Sequence, residues 1–237
     1  MHSQRIVRSL AEALLVICVP LALLLIGVDA VSTNAYIRHE YGLQGFPPAQ
    51  LYPADERLRL AEATLRYLRS PANEDSLYSL QHEGISVYNE REVQHLVDVK
   101  TVMRAALTAE KVVVLCLGLC FLYLIYAHRS RDTALRGVAR GCALLWGVAT
   151  LIGLSAVLNF DWFFTQFHRA FFADGTWTFY ETDTLIQLFP LRFWTDATWK
   201  IGLLALGGAA LLGGASLGML RRSVSPAPDR PERRIAD

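Results

Sequence analysis

The stretch VVVLCLGLCFLYLIYA, residues 112–127, is uncharged from end to end. Its length approaches the roughly 20 residues that cross a hydrocarbon core of about 30 Å as a helix. Three more blocks read the same way: Ala13–Val28, Cys142–Phe160 and Ile201–Leu220. The 237-residue chain is 53% hydrophobic and 19% charged, against about 45–50% and about 25% for an ordinary soluble domain. Four such blocks exclude a soluble enzyme, a nucleic-acid binder and a disulfide-stapled secreted module. The expected fold is an all-α integral membrane protein with four transmembrane helices and an extracytoplasmic, mainly helical cap.

The net charge of +1 conceals an asymmetry. Residues 1–12, 128–141 and 221–237 hold eleven arginines against five acids, a sum of +6, while residues 29–111 and 160–200 sum to −5. Basic residues accumulate in short cytoplasmic segments. The expected organisation is a cytoplasmic tail over 1–9, spans over 10–30, 106–127, 142–160 and 201–220, and a basic cytoplasmic loop over 128–141. Residues 31–105 form the extracytoplasmic cap, 161–200 an aromatic interfacial segment, and 221–237 a disordered cytoplasmic tail rich in proline and charge. This places a multi-pass protein in the cell membrane with both termini cytoplasmic. Arg5, Arg8, the apolar run and Val28-Asp29-Ala30 also fit a signal peptide, and Pro20 suits either reading. Cys18, Cys116, Cys120 and Cys142 all fall in or beside apolar blocks, where a thiol acts as a small hydrophobe, and no metal site is expected.

The first outer segment begins with turn residues and becomes helical over Asp55–Leu68, where Leu58, Leu60, Ala61, Leu65 and Leu68 recur at near-helical spacing until Pro71 stops the run. Asn89 is placed to cap a helix from Glu90, whose first turn is acidic. His95 lies three positions from both Glu92 and Asp98, so either carboxylate can share its face. That spacing suits an oriented general base, and equally an ordinary surface helix. A straight helix would stand His95 about 24 Å above Lys111 at 1.5 Å per residue, with no Gly or Pro to bend it. Starting the span near Thr101 relieves this, and buries Arg104 in the bundle near the interface, either facing a carbonyl or phosphate or snorkelling as a structural cation.

The second outer segment reads Asn159-Phe160-Asp161-Trp162-Phe163-Phe164, then Phe167-His168 and Phe171-Phe172, with Trp177 and Phe179 beyond. Aromatics collect where a bilayer meets water. On a helix, His168 is walled by Phe164 and Phe172 with only a distant Asp161 on its face, and desolvation holds such an imidazole neutral. An ionisable group at membrane depth is a functional candidate, although an aromatic belt with an incidental histidine has the same look. His2 and His128 fall on the cytoplasmic side. His39 and His82 lie outside in polar, turn-rich surroundings.

Asn-Glu-Arg-Glu-Val-Gln-His-Leu-Val-Asp-Val-Lys (89–100), Asn-Phe-Asp-Trp-Phe-Phe-Thr-Gln-Phe-His-Arg-Ala-Phe-Phe (159–172), Trp177, Thr182-Asp183 and Leu188-Phe189-Pro190 resemble the signatures of the bacterial lipoprotein intramolecular transacylase family, Lit, and its membrane relatives. The likeness extends from about residue 10 to 220 and departs from the pattern at Tyr180-Glu181 and Leu191. It implies an acyltransferase that moves the sn-2 acyl chain of a lipoprotein's diacylglyceryl-cysteine onto the α-amine of the same cysteine. It also implies catalytic roles for His95 and His168; the spacing and surroundings of those residues add Glu92, Asp98, Asp161 and Arg104 as orienting or supporting groups and Phe164, Phe167, Phe171, Phe172 and Trp177 as the pocket. The expected partners are a diacylated lipoprotein and membrane lipid, with no cofactor and no nucleic acid, acting as a monomer at the outer leaflet.

The residue types suit that chemistry. An α-amine titrates at about 7.7–8.0 and histidine at about 6.5, so an imidazole can take the ammonium proton near neutrality while a second polarises the ester or protonates the leaving oxygen. Amine and ester belong to one molecule, and positioning alone is worth effective molarities of roughly 10⁵–10⁸ M. The rival reading is a non-catalytic membrane protein whose aromatic segment and acidic cap bind a lipid or a partner protein.

Overall fold

A computed structural model describes residues 2–126 and 130–224. In chain order the elements are α1 (His2–Val31), α2 (Asn34–Tyr41), α3 (Ala54–Arg69), α4 (Asp75–Tyr78), strands β1 (Gln81–His82) and β2 (Ile85–Ser86), α5 (Glu90–Tyr126), α6 (Arg131–Leu158), α7 (Phe160–Phe171), α8 (Thr184–Leu188) and α9 (Leu191–Val224). Ala13–Val28 and Ile201–Leu220 lie inside longer helices, residues 112–126 end α5, and Cys142–Leu158 end α6 before Asn159 breaks the run; α1, α5, α6 and α9 are all long and apolar enough to cross a membrane. They form a four-helix bundle with α1 packed against the other three. The chain is a multi-pass helical membrane protein with a helical cap on one end of the bundle.

Small residues set how closely the helices approach, as is usual where lipid competes equally for apolar side chains. A Cβ added at Gly141 of α6 would stand 2.8 Å from Val19 Cβ and 3.0 Å from the Val16 carbonyl oxygen on α1. One added at Gly208 of α9 would meet Leu23 Cδ2 at 2.9 Å. Away from the cap, α1 and α6 are tied by Arg140 to Glu12 at 2.6 Å and by Arg8 donating to Thr133.

The cap is built by α2–α4, the β1–β2 hairpin, the first turns of α5, and α8. In α3 the residues Leu60, Ala61, Leu65 and Leu68 are buried at the expected spacing, and the helix ends at Arg69, two positions before Pro71. Arg57 does not join the outward arginines of that helix. It is buried, with its guanidinium over the Tyr41 and Phe46 rings and Nη1 donating to the Pro47 carbonyl at 2.5 Å, pinning the turn-rich segment to α3. The hairpin turns at Glu83 and Gly84, both at positive φ. Leu60, Leu77, Val93 and Leu188 are among the residues of one small core beneath these elements.

Three boundaries and one side chain differ from the sequence expectation. α5 is unbroken over 37 residues, about 55 Å at 1.5 Å each, so the cap helix and the second span are one rod. Arg104 stands exposed on that rod and is not buried in the bundle, because the neighbouring Met103 takes the packed side of α5 at this level. The expected loop 128–141 is helical from Arg131, since nothing after Ser130 breaks the helix. The fourth span begins in the aromatic segment at Leu191, directly after Pro190, a residue tolerated just before or at a helix start. His128, and the expected disordered tail beyond Val224, lie outside the described residues, as does the His2 side chain.

The tight seam between α1 and α6 makes a specific stability prediction. Gly141→Ala forces Val19 or the α1 backbone to move and should cost about 1–3 kcal/mol, the usual range for overpacking. Gly147→Ala, where no atom lies within 4 Å of the added Cβ, should leave thermal unfolding in detergent unchanged or slightly raised. Equal melting temperatures for the two variants would refute the close approach.

Candidate active site

The site forms where the first turns of α5 meet α7 and the segment that follows it. Asn89 begins α5 with a reciprocal cap: its Oδ1 accepts from the Glu92 amide at 3.1 Å, and Glu92 Oε2 accepts from the Asn89 amide at 2.9 Å. With its register set there, α5 buries Val93 and Leu96 in the cap core and turns His95 toward α7, leaving it 8% exposed. Asn159 ends α6 in an extended conformation and caps α7, its Oδ1 accepting from the Trp162 amide at 2.9 Å. α7 runs with none of its residues buried and carries His168 on its inner face.

The two imidazoles come together with ring centroids 6.3 Å apart and planes within 22° of parallel. Aromatic rings enclose them. Phe164 lies 4.0 Å from His168 and Trp177 lies 4.9 Å from it, while Phe172 packs on both histidines at 5.0 and 5.5 Å. Phe179 covers His95 at 5.2 Å. His168 Nδ1 is 2.8 Å from the Phe164 carbonyl oxygen. A carbonyl only accepts, so Nδ1 carries the proton and Nε2 keeps its lone pair. His95 Nδ1 is buried with no partner.

Charged residues from Asp98 to Lys111 separate His95 from the uncharged run of α5, so both histidines stand outside the membrane-spanning part. Burial pushes the His95 imidazole down to about 4, with the neighbouring His168 ring adding to the effect. Burial also lowers His168, opposed by the hydrogen bond to the Phe164 carbonyl. Both are therefore neutral at pH 7, the form that can accept a proton. Among the described residues no three His, Cys, Asp or Glu side chains gather to hold a metal ion.

The supporting residues differ from expectation. Glu92 does not reach His95: its Oε1 accepts from the Leu185 amide at 2.8 Å, so both its oxygens serve backbone amides. Among the described residues Asp98, half-buried, makes no hydrogen bond to His95, and Asp161 makes none to His168, being exposed in the first turn of α7 about 10 Å along the axis from it. Arg104, nine positions beyond His95, lies on the exposed side. Of the expected pocket residues, Phe164, Phe172 and Trp177 touch His168, and Phe167 meets it edge-on at 5.6 Å. Phe171 packs on Phe167 at 5.0 Å and is otherwise exposed.

Sequence reasoning missed the group that holds the aromatic segment in place. Asp183 accepts from Arg91 Nη2 at 2.7 Å, from the Tyr180 amide at 2.7 Å and from Asn89 Nδ2 at 3.4 Å. The Arg91 guanidinium lies over the Phe179 and Tyr180 rings. Thr184 Oγ1 donates to the Val87 carbonyl at 2.6 Å. The sequence marked Thr182-Asp183 and the stretch holding Arg91 only as parts of a family likeness, and an aspartate before a short apolar run is otherwise the pattern of a helix start.

This geometry defines a class: a multi-pass helical membrane protein with a neutral histidine pair between a polar cap and the bundle. The family model for the lipoprotein intramolecular transacylase Lit matches residues 13–194, and the chain belongs to that family of acyltransferases. It is similar to an uncharacterised protein of Aquifex aeolicus (strain VF5), 27% identical over 84% of this chain and 89% of that one. Two solved in meso structures of the membrane integral lipoprotein intramolecular transacylase Lit from Bacillus cereus, each with one histidine substituted, share the fold. Both have a TM-score of 0.67 at 18% identity, covering 94% of this chain and 96% and 97% of theirs.

Histidine-selective ¹⁵N NMR in detergent should show His95 still neutral at pH 6, with a midpoint near 4, and His168 below the ordinary 6.5. Because the folded-state values are depressed, the stability tied to neutral imidazoles is present above about pH 6.5 and is lost as pH falls toward the folded midpoint. A His95 midpoint at or above 6.5 would contradict the burial.

Proposed function

We propose that this chain moves the sn-2 acyl chain of a lipoprotein's diacylglyceryl-cysteine to the α-amine of the same cysteine, giving a lyso-form N-acyl lipoprotein. The observation that carries the reading is the neutral His95–His168 pair, with the Nε2 lone pair of His168 free and aromatic rings packed against both imidazoles. His168 Nε2 takes a proton from the attacking amine. The amine nitrogen bonds to the ester carbonyl carbon, the bond from that carbon to the sn-2 oxygen breaks, and the proton passes to that oxygen. The Phe164 carbonyl stabilises the imidazolium in between through Nδ1–H. His95, held neutral, offers a ring N–H to the glycerol oxygen. The aromatic wall excludes water, which protects the ester from hydrolysis.

Position in the membrane follows from charge. Arg5, Arg8, Arg131, Arg136, Arg140, Arg221 and Arg222 belong to the end of the bundle opposite the cap, which supports a reading with both termini in the cytoplasm and the histidines at the outer leaflet. Trp162, Phe167 and Phe171 are exposed on α7, an apolar face suited to lying among lipid headgroups and acyl chains. Both imidazoles come from one chain, so a monomer suffices.

His95→Ala and His168→Ala should each lower N-acyl product from a diacylglyceryl-cysteine peptide by about 10²–10⁴-fold, the usual worth of general acid–base catalysis, while both variants remain in the membrane with near-native melting. Mass spectra showing undiminished N-acylation in both would leave the binding reading, in which the aromatic segment holds a lipid or partner without chemistry.

A further inference from the structure

Trp177 carries a second orphaned polar atom beside the imidazoles. Its Nε1 is buried with no hydrogen-bond partner, although the residue as a whole is only half-buried. The N–H edge of the indole is therefore the inward edge, and its ring lies 4.9 Å from His168 at 34°. An indole N–H is a donor only, and leaving one buried and unmade costs about 1–3 kcal/mol. The ring contact with His168 does not need that N–H, since a phenyl ring could supply it. Nearby Trp194 shows the ordinary arrangement: its Nε1 donates to the Phe189 carbonyl at 3.0 Å. Trp177 instead presents a donor for which the protein provides no acceptor.

The segment that bears it is anchored at its ends. The Phe172 amide donates to the His168 carbonyl at 2.7 Å, and the Asp183 carboxylate fixes the far side through Arg91 and the Tyr180 amide. Among the described residues no hydrogen bond joins residues 175–179 to another element, and Gly175 turns at φ 86°.

We propose that Trp177 Nε1–H is a catalytic hydrogen-bond donor to the carbonyl oxygen of the reacting ester; this rests on the transacylase reading. When the amine nitrogen bonds to the carbonyl carbon, the carbonyl π pair moves onto oxygen. The indole N–H, already desolvated and aimed inward, meets that charge. When the bond from the carbonyl carbon to the sn-2 oxygen breaks, the pair returns to re-form the carbonyl of the new amide, and Trp177 keeps its proton throughout. A donor preorganised in a water-poor site acts most strongly on charge that exists only in the transition state.

The test uses the full-length protein in lipid or detergent with a synthetic diacylglyceryl-cysteine peptide, alongside His95→Ala and His168→Ala. Two replacements remove the donor: Trp177→Phe, and site-specific incorporation of benzothienylalanine, which keeps the indole's shape but has sulfur in place of N–H. Both should lower kcat by about 10²–10³-fold, the loss typical of one oxyanion donor, with KM within about twofold and melting retained. Full kcat with benzothienylalanine, or a change confined to KM, would overturn the role of Trp177 while the histidine variants stay inactive. Active histidine variants would instead overturn the transacylase reading itself.

Discussion

The carboxylate of Glu92 joins the two halves of the site. It is buried, and its two oxygens accept from the Asn89 amide in its own helix start and from the Leu185 amide at the start of α8. A buried carboxylate without donors is costly, so the α8 segment must sit where its amide can satisfy the second oxygen. That requirement draws the chain from Tyr180 to Leu188 against the head of α5. Asp183 and Arg91 then lock the same junction from the solvent side. Phe179 and Trp177 are carried onto the histidines as a consequence.

The other half of the arrangement is mechanical. α5 is a continuous rod that roots His95 in the bundle at one end and in the cap core at the other, while the extended Asn159 redirects the chain from α6 into α7. Two imidazoles brought together this way would repel if charged. Enclosure by Phe164, Phe172 and Phe179 removes water from both, and the Phe164 carbonyl fixes the tautomer of His168. Neutrality and orientation thus arise from packing and one backbone acceptor. No carboxylate is spent on either ring, which distinguishes this pair from the carboxylate-oriented histidines of many hydrolytic sites.

Much of the architecture was legible in the residues. The four spans follow from uncharged runs, the cap of α5 from Asn89 and its acidic first turn, and the buried face of α3 from the spacing of Leu60, Leu65 and Leu68. Both histidines were legible as candidates too, His168 by its aromatic surroundings. The assignments of Glu92 and Asp98 to His95 failed because i, i+3 spacing states only that two side chains share a face. Glu92 found better donors in two backbone amides, one of them 93 positions away. Asp161 failed for the opposite reason: it shares a face with His168, but two turns of helix separate them. Arg104 was expected in the bundle because an earlier start of the second span seemed needed, but α5 packs there through Met103 and turns Arg104 outward.

What the sequence by itself determined was the number of spans, the distribution of charge between the two ends and the identity of the titratable groups near the interface. These are properties of short stretches, set by the length of apolar runs and by where charge is missing. Only the tertiary structure decided that His95 meets His168, that Asp183 and Arg91 hold the aromatic segment, and that the inward edge of Trp177 lacks an acceptor. Each depends on which distant backbone amide satisfies a buried polar atom, and that choice is made by the packing of the whole cap against the bundle.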